Sequence, residues 1–172
     1  MNTQNTQGLK KNIHTVSLLV ANKPGVLVRI ALVFARRGFN IDALVVSPTF
    51  DPRYSRMTIT AQGDANTLDQ IIKQTAKLVD VLHSGEHNED DAIHRELALV
   101  KIKNIPSNKS VIAQIIKKYS ARVVEEDDKT MIIVQSGTTD ELDQFELMIK
   151  KYGIIEMVRS GKLVMSKGSQ ET

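Results

Sequence analysis

The chain runs twice through the same order of periodic segments, and this repeat constrains the fold more than any other feature of its 172 residues. In the first half, residues 14–22 form a short β-branched run that predicts a strand. The following residues, 27–34, carry apolar side chains at the i, i+3, i+4 and i+7 positions of a helix. Two strands, a second helix and a closing strand are predicted to follow. The order is strand, helix, strand, strand, helix, strand.

The same order recurs after a polar, charged stretch that has few apolar residues. We therefore predict a linker over residues 86–93, between a domain over 12–85 and a domain over 94–172. A flexible tail is predicted over residues 1–11. The repeat is one of element order, because residue identity between the halves is weak. The predicted fold class is α+β, with two tandem ferredoxin-like βαββαβ domains.

Individual segments carry more local predictions. In residues 54–63 the alternation predicts a half-buried strand, and the last strand is expected in two segments broken at Gly161. Gly38 is expected to follow the end of the first helix. The first helix is predicted to bury Leu27, Ile30, Ala31 and Phe34, and helix caps are predicted at Asp64, at Ser107 and at Thr139 or Asp140.

Composition excludes several classes of protein. Cysteine is absent, so the chain forms no disulfide and offers no thiolate as nucleophile or metal ligand. No run of eighteen apolar residues predicts a membrane span, and the polar start MNTQNTQGLKKN lacks the apolar segment of a secretory signal. We expect a cytoplasmic protein that does not enter the membrane.

Sequence signatures of catalysis are missing. There is no phosphate-binding loop, no dinucleotide fingerprint and no nucleophile elbow. His83, His87 and His94 lie in or beside the predicted linker among carboxylates, a set that offers metal ligands. The segment lacks the periodicity that would fix their geometry, so we favour a solvated linker and predict no metal. The carboxylates of residues 125–129 are interpreted as a charged turn.

Nucleic-acid binding is also disfavoured, although the RNA-recognition module has the same element order. That module stacks bases on aromatic side chains of its central strands. Here aromatic residues make up 4% of the chain and Trp is absent. After Phe39 no aromatic residue follows on the same strand.

The segment NKPGVLVRIALVFARRGFNI, residues 22–41, supports two interpretations. A loop over 22–25 delivers a helix whose first N–H groups lack partners and attract an anion, and Gly25 allows close approach. Alternatively, Asn22 caps the helix, Pro24 occupies its first turn and Gly25 is incidental. Asn40 favours the first interpretation, because two amides near one helix N-terminus would hold both ends of an amino acid.

The stretch NKPGVLVRIALVFARRGFNIDALVVSPTFDPRYSRMTI resembles the ACT domain of the regulatory, or small, subunit of acetohydroxyacid synthase (acetolactate synthase). The family pattern is N-x-x-G-x-L-x-R-[IV], then R-G-[YF]-N-I, a loop rich in Thr or Pro, and S-R-M-T-I. The likeness runs over residues 13–165, and RELALVKIK resembles the start of the family's C-terminal domain. This chain has Asp42-Ala43 where Glu-Ser is frequent.

The resemblance implies a non-catalytic subunit that activates the catalytic subunit and confers feedback inhibition by valine in branched-chain amino acid biosynthesis. It implies a homodimer through the ACT domains, with L-valine at the interface of two chains. Asn22, Gly25 and Val26 would hold its carboxylate and amine, and Asn40 and Ile41 would complete the site from the other chain. The chain itself would carry no cofactor; thiamine diphosphate, magnesium and FAD are expected in the catalytic partner.

Two alternatives remain open at this point. One is a stand-alone amino-acid-sensing ACT module that regulates another target, and the other is a small enzyme on a ferredoxin-like scaffold. Arg56 and Thr58, predicted on the outward face of their strand, are candidates for contact with the catalytic subunit; an ordinary exposed strand face explains them equally well.

Overall fold

A computed structural model describes residues 13–169, 171 and 172, so the tail predicted over 1–11 lies outside the described residues. The chain divides into two compact units, the first ending at Asn88 and the second beginning at Glu89. Strand structure continues through Glu86 and resumes at Ala92. The stretch without strand is therefore residues 87–91, shorter than the predicted linker.

The first unit is a four-stranded antiparallel sheet covered on one face by two helices. The sheet order is β2-β3-β1-β4, which places β2 and β4 at the edges. Its elements are β1 (Ile13–Ala21), α1 (Val26–Arg36), β2 (Asn40–Pro48), β3 (Tyr54–Gln62), α2 (Ala65–Thr75) and β4 (Val81–Glu86). This confirms the predicted order of elements.

The core of this unit lies between the sheet and the helices. Alternate residues of the two central strands meet apolar residues of both helices: Val16, Leu18, Val20, Met57, Ile59, Ala61, Ile30, Phe34, Leu68 and Ile71. The alternation predicted for β3 is thus confirmed, although Thr58 and Thr60 of its other face are buried as well. Burial of Thr58 removes it as an exposed contact for a partner.

The buried stripe of α1 starts one residue earlier than predicted. Helix α1 begins at Val26, and Val26, Ile30 and Phe34 recur at intervals of four and are buried. Leu27 is 42% exposed, so the prediction that it is buried is wrong. The whole segment is apolar, and periodicity alone does not select which of two adjacent stripes faces the core.

The second unit repeats the order and adds a strand. Its sheet order is β6-β7-β5-β8, with β9 paired to the first part of β5. Its elements are β5 (Ala92–Lys103), α3 (Lys109–Lys118), β6 (Arg122–Glu126), β7 (Thr130–Gly137), α4 (Thr139–Ile149), β8 (Ile154–Arg159) and β9 (Leu163–Ser166). The predicted break at Gly161 is confirmed, since β8 and β9 lie on either side of it and Gly161 has a φ of 79°.

The structure confirms one of the predicted helix caps and moves the other two. Asp64 accepts a hydrogen bond from the backbone N of Thr67 at 2.8 Å, which confirms the cap predicted for α2. Ser107 instead lies in a short 3₁₀ turn that precedes α3, so the cap predicted there is wrong. Helix α4 is capped by Thr138, one residue before the predicted positions, through a reciprocal capping box with Glu141.

None of the helices in the described part of the chain combines the length and hydropathy needed to cross a membrane.

Candidate functional site

The N-terminus of α1 carries no side-chain cap. Gly25 is the N-cap residue with a left-handed φ of 83°, and no acidic residue stands in the first turn. The backbone N of Val26 reaches the carbonyl of Lys23 at 3.4 Å, a long contact. The first-turn N–H groups therefore retain the partial positive charge of a helix N-terminus, which favours a carboxylate.

Asn22 does not cap this helix. Its side-chain amide donates to the carbonyl of Pro52 at 3.0 Å, and its backbone N donates to the carbonyl of Arg53 at 2.8 Å. The alternative in which Asn22 caps α1 is therefore wrong, and Pro24 precedes the helix instead of occupying its first turn. Asn22 is exposed and lies beside an uncapped helix end.

Glycine at position 25 is favoured by its backbone conformation and not by lack of space for a side chain. A Cβ built on Gly25 meets a single neighbour, Nη1 of Arg29, at 3.7 Å. A φ of 83° strains any residue with a Cβ by about 1–2 kcal/mol. The glycine therefore fixes the turn into α1 and leaves room for a small ligand to approach the main chain.

The charges around this helix end balance in favour of an anion. Arg29 forms an ion pair with Asp80, and Nζ of Lys23 lies 3.9 Å from the same carboxylate. Two cations thus share one carboxylate that is itself 18% exposed at its side chain. The remaining positive charge adds to the field of the helix N-terminus.

The other three residues predicted for the site, Val26, Ile41 and Asn40, differ in which of their groups a ligand can reach. Val26 is 4% exposed and its side chain belongs to the core, so Val26 offers a ligand its backbone N–H. Ile41 is half-buried and packs against the same core from β2. Asn40 is exposed, and its amide donates to a carboxylate oxygen of Asp42 at 3.0 Å.

Asn22 and Asn40 lie at opposite ends of the sheet. Asn22 follows Ala21, which pairs with Tyr54 at the start of β3, whereas Asn40 pairs with Gln62 at its end. Eight residues of β3 separate the two pairings, which corresponds to about 26 Å at about 3.3 Å per strand residue. The structure therefore does not bring the two amides together within one chain.

Sequence reasoning missed an exposed apolar stripe on α1. Leu27, Val28 and Leu32 are 42, 60 and 45% exposed. A signal was available, because VLVRIALVFAR is apolar around most of its circumference, and a helix of that kind is covered on more than one side. Strand β2, at the sheet edge, leaves backbone groups available for another strand.

The histidines and carboxylates near the predicted linker make other contacts. Nδ1 of His14 lies 2.7 Å from Glu86, and His87 lies 2.6 Å from the hydroxyl of Ser17. Within residues 13–169, 171 and 172, no group of three or more His, Asp or Glu side chains is placed to hold a metal.

The acidic segment over residues 125–129 covers the end of β6 and the turn into β7, and the carboxylate of Asp127 shapes that turn. Asp127 accepts hydrogen bonds from the backbone N of Lys129 at 2.7 Å and of Thr130 at 2.6 Å. These bonds hold the pKa of Asp127 below its ordinary value. A carboxylate with a lowered pKa that is committed to a turn is unsuited to general acid–base work at neutral pH, which agrees with the interpretation as a charged turn.

Both units match family models. Residues 16–83 match the "AHAS small subunit-like ACT domain", and residues 95–168 match the "Small subunit of acetolactate synthase". The first unit is therefore an ACT domain, as the resemblance implied.

Full-length relatives agree with these matches. The probable acetolactate synthase small subunit of Archaeoglobus fulgidus is 38% identical over 92% of this chain and 99% of that protein. The Haemophilus influenzae acetolactate synthase small subunit is 39% identical over 90% of this chain and 96% of that protein. The crystal structure of the Thermotoga maritima acetolactate synthase small subunit superposes with a TM-score of 0.83, at 32% identity, over 92% of this chain and 99% of that one. The chain belongs to the family of acetolactate synthase small subunits, which are regulatory and carry no active site.

Proposed function

We propose that this chain activates the catalytic subunit of acetolactate synthase and makes that subunit sensitive to feedback inhibition by L-valine. The observation that carries the proposal is the uncapped N-terminus of α1 at Gly25, with Asn22 beside it, in the ACT domain of a chain of this family. On this proposal the chain works in the cytoplasm, in branched-chain amino acid biosynthesis. Thiamine diphosphate, magnesium and FAD stay with the catalytic subunit.

The chemistry of the helix end suits an amino acid. A carboxylate at the first-turn N–H groups gains about 0.3–1 kcal/mol from the helix dipole, and up to about 2 when partly buried. Hydrogen bonds to its charged groups contribute about 1.5–3 kcal/mol each, and burial of an isopropyl group about 1.5–3. After the cost of immobilising the ligand, a dissociation constant from about micromolar to about millimolar results.

A homodimer through the ACT domains supplies the second half of the site. If two β2 edge strands pair antiparallel about a two-fold axis, each Asn40 end lies beside the Pro48 end of its neighbour. The Pro48 end is also the end at which β1 delivers Asn22, because Pro48 pairs with Ser55 and Ala21 with Tyr54. Asn40 and Ile41 of a second copy then reach the helix N-terminus of the first.

The exposed stripe of α1 supports the same dimer. Helix α1 packs over the β2 side of the sheet, and Leu27, Val28 and Leu32 are exposed on it. Apolar side chains on the flank of α1 and an unpaired edge strand beneath it together form a surface that a second copy covers.

Calorimetric titration of the purified chain tests the effector site. We expect L-valine to bind, and D-valine and L-lysine not to bind, because the site reads a carboxylate, an amine and a small apolar side chain. Absence of stereospecific binding would contradict an effector site formed by this subunit alone.

Reconstitution with the catalytic subunit tests the regulatory role. We expect the chain to raise acetolactate synthase activity and to make it sensitive to L-valine. Valine binding without any effect on the catalytic subunit would instead support a stand-alone sensor that acts on another target.

A further inference from the structure

The loop between β2 and β3, residues 49–53, presents an aromatic side chain to solvent. Phe50 is fully exposed, at 107% of its reference area. A large apolar side chain in contact with water costs free energy, and an isolated chain gains nothing from holding one at the tip of a loop. Phenylalanine also adds contact area for a small loss of side-chain entropy, which suits it to an interface.

Hydrogen bonds within this loop order its backbone into a turn. The backbone N of Thr49 donates to the carbonyl of Tyr54 at 3.0 Å, and the backbone N of Tyr54 donates to the carbonyl of Asp51 at 3.0 Å. The hydroxyl of Thr49 donates to the carbonyl of Asp51 at 2.8 Å. The backbone that carries Phe50 is thus ordered before any partner binds, which reduces the ordering cost of association.

The loop carries no net charge. The guanidinium of Arg53 forms a two-pronged pair with the carboxylate of Asp51, at 2.6 and 3.0 Å, and lies 5.5 Å from the ring of Tyr54. Because each charge neutralises the other, the loop presents Phe50 and the exposed Pro52 without a dominant charge. A surface of this chemistry fits an apolar pocket in a partner protein.

The loop is also joined directly to the candidate effector site. The amide of Asn22 donates to the carbonyl of Pro52, and the backbone N of Asn22 donates to the carbonyl of Arg53. A ligand carboxylate that draws the Asn22 amide to itself would remove the bond to Pro52. In that case occupation of the site and the placement of the loop would be coupled.

We propose that Phe50 is an anchor that inserts into an apolar pocket of the catalytic subunit, and that the Asn22–Pro52 hydrogen bond transmits effector binding to this anchor. The inference rests on the proposed function, since it takes the catalytic subunit as partner. The effector shifts the equilibrium between two loop placements, and the catalytic subunit senses which placement it holds.

The test replaces Phe50 and measures activation. We expect Phe50→Ser to raise the concentration of this chain that gives half-maximal activation of the catalytic subunit by about 10- to 100-fold, the effect of losing a buried Phe from an interface. Val79→Ser is the matched control, because Val79 is 100% exposed and lies between α2 and β4. We expect this control to activate as the wild type does.

Further measurements separate an interface from other roles. Phe50→Ser should keep the thermal unfolding temperature, the solution mass and the calorimetric valine affinity of the wild type. Loss of the homodimer or of valine binding in this variant would overturn the proposal, since Phe50 would then serve the dimer or the site. An equal loss of activation in Val79→Ser would overturn it as well.

The outcomes also distinguish this inference from the proposed function. If the wild-type chain activates the catalytic subunit and Phe50→Ser activates it at the same concentration, the anchor is rejected and the proposed function stands. Failure of the wild-type chain to activate the catalytic subunit would reject the proposed function, and the anchor with it.

Discussion

The side-chain amide of Asn22 lies 3.0 Å from the carbonyl oxygen of Pro52 and donates a hydrogen bond to it. This bond ties the loop that enters α1 to the loop between β2 and β3. An asparagine that would otherwise be available as a helix cap is thereby committed to a neighbouring loop, and the N-terminus of α1 stays open. The same contact links the candidate effector site to the exposed Phe50.

Gly25→Asp is expected to abolish valine inhibition and to leave activation intact. The new carboxylate stands at the helix end that would receive the effector carboxylate, and like charges there repel. Inhibition curves of the reconstituted enzyme measure the effect. Gly25→Ala is the control for backbone strain, because it costs about 1–2 kcal/mol of stability at a φ of 83° without adding a charge. A Gly25→Asp enzyme that remains as valine-sensitive as the wild type would place the effector elsewhere.

Asn40→Ala is expected to weaken valine inhibition by about ten-fold, the effect of losing one hydrogen bond to a charged group. Thermal stability should barely change, because Asn40 is exposed and its amide donates to the side chain of Asp42, which is exposed as well. Asp42→Ala serves as the control, since it removes the same contact and keeps the Asn40 amide. Equal inhibition of wild type and Asn40→Ala would remove Asn40 from the site.

Leu32→Glu is expected to dissociate the proposed homodimer. Leu32 is 45% exposed on the α1 stripe, and a carboxylate without a partner on a surface that a second copy buries is strongly unfavourable. Light scattering measures the solution mass. Leu147→Glu on α4, at a position that is 73% exposed, should leave the mass unchanged. A dimeric Leu32→Glu chain would show that the stripe serves another purpose.

Acid is expected to weaken the cap of α2. Hydrogen bonds from Thr67, above all, hold the pKa of Asp64 below its ordinary value of 3.8. Since the folded state favours the ionised form, the stabilisation is present above pH 3.8 and is lost as the pH falls through the lower folded pKa.

Asp64→Asn isolates this contribution, because the amide oxygen still accepts from Thr67 and does not titrate. Thermal melts at about pH 5 and about pH 2 should show a larger loss of stability for the wild type than for the variant. Parallel losses in both proteins would show that the Asp64 cap contributes nothing to the acid sensitivity.

Glu96→Ala is expected to destabilise the second unit by about 1–3 kcal/mol, because Arg159 and the Thr139 hydroxyl would lose the buried acceptor that they share, while Arg159 keeps its pair with Asp143. The Glu96 side chain is 6% exposed and lies 2.8 Å from Arg159. Glu156→Ala is the matched control, since Glu156 forms an exposed pair with Lys101 at 3.6 Å and such pairs contribute about 0–1 kcal/mol. Denaturant unfolding measures both. Equal effects in the two variants would show that burial of Glu96 adds nothing.

Local patterns predicted most of the architecture. The alternation in β3, the cap at Asp64 and the break at Gly161 each depend on residues within a few positions of one another, so the sequence contains all that they need. The errors fall where several local solutions are nearly equal. Either Val26 or Leu27 begins an acceptable apolar stripe, and either Thr138 or Thr139 is an acceptable cap.

The candidate site was identified from sequence only as a set of residues. NKPG and GFNI indicate Asn22, Gly25 and Asn40, because each motif is local and resembles the family pattern. Their arrangement depends on strand register, which joins residues far apart in the chain and places Asn40 beside Gln62. No local pattern carries that pairing.

By itself, the sequence determined the element order and the repeat of that order, because helix and strand periods are contained in short segments. It left two interpretations of the N-terminus of α1, one with Asn22 as the cap and one with an open helix end. Only the tertiary structure decided that Asn22 binds Pro52, that Phe50 stands in solvent and that Glu96 is buried against Arg159. The contact of Asn22 with Pro52 joins residues 30 positions apart, and the contact of Glu96 with Arg159 joins residues 63 positions apart. They form only when the sheet and its helices pack, and packing satisfies some polar groups while it leaves others open to a ligand or a partner.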